Sequence, residues 1–211
     1  MVENRPLLTL FTHLFLMVGI VIVVFPIYIA LVASTHEVQD ILTTVQGWFG
    51  SAMFENYSTI LISGKESARG IPVWMMMLNS LIMALGIVIG KISISIISAY
   101  AIVYFRFPFR MFFFWLIFVT LMLPVEVRIL PTYEVVANLG LLNSYAGLIL
   151  PLIASATATF LFRQFFLTIP DELAEAARVA GAGPFRFFFD ILLPLSRTNI
   201  AALFVILFIY G

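Results

Sequence analysis

From Leu7 to Ala33 the chain runs without a single Asp, Glu, Lys or Arg, and that run decides the solvent before it decides the fold. About 20 predominantly apolar residues carry a helix across a hydrocarbon layer ~30 Å thick, and a helix apolar on every side belongs in a large core or in lipid. Of 211 residues, 63% are hydrophobic and 10% charged, whereas soluble domains devote roughly a quarter of their residues to charge. Lipid removes the mismatch. A cleaved secretory signal is a poorer reading, because its apolar region spans only ~7–15 residues, and the leader here carries Glu3 beside Arg5. A retained first span follows. The formal net charge of zero gives no electrostatic footprint for nucleic acid. The absence of cysteine removes disulfides and thiolate metal sites.

Length and polar punctuation divide the chain into five apolar segments, the pattern of an all-α polytopic membrane protein. The first is Leu7–Ala33, interrupted by Pro26, which membrane helices tolerate. A polar stretch, 34–72, carries Glu37, Asp40, Glu55, Lys65, Glu66 and Arg69. The second segment, near Val73–Tyr104, is long and contains Lys91. The third, Met111–Leu123, stops at Pro124, and a half-polar stretch follows with Glu126, Arg128, Pro131, Glu134 and Asn138. The fourth covers about Ala146–Phe166. A charged loop, 168–196, precedes a fifth apolar run that reaches Gly211 after about half a crossing, so the native chain is expected to continue.

Lysine and arginine placement sets the orientation. With the N-terminus inside, Arg5, Arg106, Arg110, Arg163, Arg178, Arg186 and Arg197 fall on the cytoplasmic side, against Lys65 and Arg69 opposite. Lys91 and Arg128 fall within or near spans. The 34–72 stretch is then expected to be periplasmic and the 168–196 loop cytoplasmic.

Two features of the second segment invite a nucleotide reading and do not support it. A phosphate-binding loop needs four residues between its glycines and Ser or Thr after the lysine. Gly86 and Gly90 are separated by three residues, and Ile92 follows Lys91. On a helix the two glycines share one face and suit close packing. A mid-span ammonium such as Lys91 is costly and calls for a partner or hydration. Asn79, Ser80, Ser93, Ser95, Ser98 and Thr157 read as interhelical hydrogen-bonding residues. His13 and His36 are too far apart in sequence for a local metal site, and no nucleophile, base and acid stand together as a catalytic group would require.

The loop Thr168–Pro194 carries most of the functional signal. Pro170 suits a first helical position, and Asp171 and Glu172 suit the positive end of a helix dipole. Leu173 to Arg178 has good helix propensity. Gly181 is placed to end that helix with positive φ, Pro184 to open a second, and Pro194 to close it. The second helix holds Phe185 and Phe187 to Phe189. An alanine-rich knob on an aromatic base lets another protein's surface approach closely, and Glu175 adds one directed charge.

The pattern Glu175-Ala176-Ala177, then Gly181, Ile191 and Pro194, resembles the "EAA loop" of permease subunits of binding-protein-dependent ABC importers. It departs from many sugar-type members in having Ala180 where they carry Asp. The stretches Leu121–Thr132, Leu148–Pro151 and Ala154–Phe166 are similar to the carbohydrate-uptake (MalG-like) permeases, and the whole chain is most similar to the glycerol-3-phosphate group among them. The resemblance implies a single permease domain over 1–211 with a six-span core, the last span absent here. It implies that Glu175, Ala176, Ala177, Gly181, Ile191 and Pro194 engage an ATPase. The implied partners are a homologous permease subunit, a cytoplasmic ATPase dimer that binds ATP and Mg, and a periplasmic substrate-binding protein. The implied cargo is sn-glycerol-3-phosphate or glycerophosphodiesters, with an oligosaccharide as the alternative. The chain itself would carry no cofactor and no ATPase site.

For the substrate path, the residues themselves offer Arg128, Glu126 and Lys91. Arg grips phosphate bidentately, but Arg128 is equally placed in sequence to pair with Glu126 or Glu134 and stabilise the stretch between Pro124 and Pro131. A secondary transporter would need coupled acidic residues in spans and an internal repeat, neither of which stands out.

Overall fold

The computed structural model describes residues 6–64, 70–120 and 123–210. Glu3, Arg5, Lys65, Glu66, Arg69 and Gly211, on which parts of the sequence reading rest, lie outside the described residues. The described segments are helical, and their contacts gather into two compact units, 1–78 and 79–211.

In the first unit, α1 runs from Pro6 to Ala33 and passes through Pro26. Its apolar side chains are almost all exposed, as expected of a helix whose solvent is lipid. Its C-terminal end is tied down by polar bonds. Tyr28 donates its hydroxyl hydrogen to the Gly47 carbonyl at 2.8 Å, and the Gly50 N–H donates to Thr35 Oγ1 at 2.7 Å. Asn56 Nδ2 donates to the carbonyls of Ser34 and His36 at 3.1 and 2.9 Å. The stretch beyond α1 is therefore an ordered cap containing α2, Val38–Thr43, and α3, Met53–Ser58, which runs into a π-helical turn at Thr59–Ser63.

Helix α4, Val73–Tyr104, has the limits that the apolar pattern predicts. In the second unit its glycine face receives isoleucines. A Cβ at Gly86 would stand 2.6 Å from Ile149 Cδ1, and one at Gly90 would collide with Cγ2 and Cβ of Ile153. The packing reading of the two glycines is therefore the structural one. Two of the polar residues expected to bond between helices do so: Asn79 accepts from the Tyr145 hydroxyl, and buried Ser95 donates to the Ser155 carbonyl at 3.2 Å.

The third segment differs from its sequence reading. Helix α5 covers Arg110–Val119, too short to cross a membrane alone. Helix resumes as α6, Val125–Asn138, with Pro124 as its cap and Pro131 inside it. The half-polar stretch is thus regular helix. Neither proline prevents this, since Pro124 precedes the first turn and α6 carries the one interior proline that a helix with outside support tolerates.

The fourth segment is broken. Helix α7, Tyr145–Ile149, passes into a 3₁₀ turn at Leu150–Leu152, and α8, Ala156–Phe166, departs at 47°. Both starts are capped by serine hydroxyls: Ser144 accepts from the Gly147 N–H at 3.0 Å and Ser155 from the Ala158 N–H at 3.2 Å. Among the described residues two helices alone, α1 and α4, are long and apolar enough to cross a membrane. Two bent pairs, α7–α8 and the one that ends the chain, add further crossings if each is one span.

A side chain larger than hydrogen at Gly90 must displace the Ile153 backbone or the α4 axis, because the colliding atoms include a branched Cβ. Gly90→Val is expected to cost about 1–3 kcal/mol, the range for overpacking a tight core. Gly19→Val, at a position with open space around it, should cost far less. Thermal unfolding midpoints of the two variants in detergent check the contrast.

Candidate coupling loop and membrane cations

The loop after α8 folds as two helices joined at a sharp bend. Helix α9, Asp171–Val179, begins after Pro170, which acts as the cap instead of the first helical residue. Asp171 and Glu172 occupy its first turn and Arg178 its last, the arrangement that the helix dipole favours. Gly181 has φ +75°, and its N–H donates to the Arg178 carbonyl at 3.0 Å while the Ala182 N–H donates to Ala177 at 2.9 Å. That pair of bonds is a Schellman closure, which a left-handed glycine permits.

Helix α10, Pro184–Phe187, opens on Pro184 and flows without interruption into a π-helical turn, Phe188–Leu192, and a last turn, α11, Leu193–Leu195. Pro194 does not close the helix, as its residue type suggests; it sits inside the continuing helix, two residues beyond the widened π turn. The direction changes after Leu195, where the chain bends by 68° into α12, Arg197–Tyr210. Buried Ser196 marks the bend and donates its hydroxyl hydrogen to the Leu192 carbonyl at 2.6 Å.

The coupling residues separate into two groups. Glu175, Ala176 and Gly181 are exposed, and Glu175 makes no ion pair among the described residues. Ala177 points the other way: it is 6% exposed and joins the core cluster with Ile96, Ala99, Phe162, Phe166, Phe187, Phe188, Leu192 and Leu203. Its small side chain serves the seating of α9, not the outer surface. Ile191 packs partly buried against the same cluster, and Pro194 borders an open groove with Phe189, Arg197 and Phe204.

The base is aromatic, as the sequence suggests, but half of it comes from elsewhere in the chain. Tyr100 and Tyr104, at the end of α4, meet Phe187 and Phe188 with ring centroids 5.0–6.4 Å apart. Phe105 adds a third ring, edge-on to Tyr100 at 5.2 Å. Arg163, one of the arginines counted on the cytoplasmic side, lies in the last turn of α8 with its guanidinium 4.3 Å from the centre of the buried Phe114 ring. Two tyrosines spaced i, i+4 at the end of a long span were the available sequence signal for this seat.

The substrate-path cations Lys91, in α4, and Arg128, in α6, stand 37 positions apart in the sequence. Lys91 is half-buried and Arg128 exposed. Arg128 forms no ion pair with Glu126 or Glu134 among the described residues, so the local pairing that the sequence permits is not made. Glu126 stands exposed in the first turn of α6.

Residues 91–211 match the family described as binding-protein-dependent transport system inner membrane component. Over its full length the chain is 60% identical to the sn-glycerol-3-phosphate transport system permease protein UgpE of Salmonella typhi and 61% identical to the protein of that name from Agrobacterium fabrum, covering 75% of each. The corresponding protein of Escherichia coli O1:K1 is 58% identical with the same coverage. Among solved structures, a chain of a bacterial ABC transporter involved in the import of the acidic polysaccharide alginate superposes with a TM-score of 0.81 at 18% identity, over 99% of this chain and 72% of that one. That likeness establishes the fold. The family match over more than half the chain and the full-length identities establish the membership: this chain belongs to the binding-protein-dependent transport system inner membrane components, the membrane permeases of ABC importers.

Proposed function

We propose that this chain is the permease subunit through which an ATP-driven importer carries sn-glycerol-3-phosphate across the bacterial inner membrane. The observation that carries the reading is the ~60% identity, from end to end of the chain, to permeases named for that cargo. It works beside a homologous permease, a cytoplasmic ATPase dimer and a periplasmic binding protein. ATP and Mg belong to the ATPase, and this chain contributes no ATPase site. Its N-terminus and the α9–α11 loop face the cytoplasm, in keeping with the arginine bias.

Transport of this kind needs no covalent chemistry in the permease. It needs two conformations that bind partners differently, so that closure of the ATPase dimer shifts the equilibrium between outward and inward openings. The exposed face of α9 is suited to receive that push. Ala176 allows close approach and Glu175 offers a charge for a basic group on the ATPase, while Ala177 anchors the helix from behind. The cargo is an organophosphate anion, and Lys91 and Arg128 are the cations of the candidate path, neither of them in an ion pair among the described residues. A cation with no carboxylate partner is open to a charge-assisted bond with an anionic cargo.

Glu175→Lys reverses the charge on the docking face without touching the core, and coupled uptake by the reconstituted complex is expected to fall at least tenfold while the membrane subunits still assemble. Uptake equal to wild type would remove Glu175 from the docking surface. For the cargo path, Lys91→Gln and Arg128→Gln should each raise the KM for sn-glycerol-3-phosphate uptake about tenfold or more, as for loss of a charge-assisted hydrogen bond worth ~1.5–3 kcal/mol. Uptake assays across substrate concentration distinguish this from a fall in kcat alone, which would place the two cations outside the path.

A further inference from the structure

The contact between α4 and the loop contains one directional bond among many non-directional ones. The Tyr100 hydroxyl donates to the Pro184 carbonyl at 2.9 Å. Pro184 opens α10, and its carbonyl also receives the Phe188 N–H from the helix itself. A carbonyl oxygen has two lone pairs, so Tyr100 takes the second without displacing the helical bond. Around this bond the joint is aromatic: Phe188 and Phe187 pack on Tyr100, and Tyr104 packs edge-on against Phe187. Ring contacts resist separation but permit sliding, because their energy changes little with small lateral shifts. A hydrogen bond weakens steeply with distance and angle, and so fixes where α10 sits along α4.

The space behind the joint bears on the same point. A cavity of about 120 Å³ lies between α4 and α9, lined by Tyr100, Tyr104, Ala174, Ala177 and Arg178. A knob with open volume behind it has room to be pushed inward without moving the span. What prevents that absorption is the anchoring of α10.

We infer that Tyr100 is the positioning residue that locks the α9–α10 loop to α4, so that a displacement of α9 is delivered to the span bearing Lys91 instead of being absorbed in the cavity. The inference rests on the reading of α9 as the ATPase-docking face. Lys91 lies nine residues from Tyr100 on the same helix, about 14 Å along its axis at 1.5 Å per residue. A rigid connection at one end of α4 therefore reaches the membrane cations directly.

The test uses the full-length permease in its complete complex, reconstituted in liposomes and supplied with binding protein loaded with sn-glycerol-3-phosphate. Transported molecules per ATP hydrolysed are measured for wild type, Tyr100→Phe and Glu175→Lys. Tyr100→Phe keeps the ring and removes the one bond. The expected result is an ATPase subunit that still co-purifies, a hydrolysis rate within twofold of wild type, and a coupling ratio lowered about three- to tenfold, the range of one ordinary hydrogen bond. An unchanged ratio in Tyr100→Phe beside an uncoupled Glu175→Lys overturns the assignment of Tyr100 and leaves the docking reading standing. Full coupling in both variants overturns the docking reading and the inference with it. Loss of the ATPase subunit from the Tyr100→Phe complex also overturns the inference, since it marks the bond as a requirement of assembly.

Discussion

In hydrocarbon no water is available to a backbone N–H or C=O, so each must find its partner within its own segment or from a neighbouring side chain. The helices follow from that constraint, and so do the devices at every place where helix is interrupted. Ser144 and Ser155 supply hydroxyl acceptors where α7 and α8 begin. The Ser155 carbonyl, which accepts the Thr159 N–H at 3.1 Å as the first bond of α8, also receives the hydroxyls of Ser95 and Thr159 at 3.2 and 2.9 Å. The bend in the fourth segment is thus held by short polar side chains from two helices. Ser95, which reads as one more small polar residue in an apolar span, is what ties α4 to that bend.

With the backbone satisfied, packing is left to shape and small contacts, because lipid tails are as apolar as the side chains they border. Close approach does part of this work, in the isoleucines seated on Gly86 and Gly90. Aromatic contact does the rest, in the cluster that joins α4, α8 and the loop. The loop consequently has two faces with separate duties. Exposed Glu175 and Ala176 are free to meet a partner, whereas Ala177 and Phe187 determine where that meeting place stands.

Most of the helices were legible in the sequence because their signals are local. The limits of α4 follow from a charge-poor run bounded by Pro72 and Phe105, and the Schellman closure of α9 follows from a glycine after a helical run. Pro194 was misleading: proline states a preference against helix, but here it sits just beyond a π turn in a helix that continues through it. The orientation of Ala177 was hidden because Ala176 and Ala177, two adjacent residues of one type, give no contrast between the outer and inner face. The Tyr100–Pro184 bond was hidden more deeply. It joins residues 84 positions apart, and neither residue type announces the other.

The π turn at Phe188–Leu192 has a consequence for how this loop can vary. Each residue advances an α-helix by about 100°, and a π turn is a place where one more residue is accommodated without breaking the rod. Here it allows Phe188 and Leu192 to face the same buried cluster while Pro194 and the bend at Ser196 keep their direction. Removing one residue from this turn would return the stretch to ordinary α geometry and leave the azimuth of α12 nearly unchanged, because the widened turn holds the extra residue within a single revolution. The stretch can therefore change length by one residue at the π turn, whereas the same change in the α turns on either side would swing the following membrane segment by about 100°.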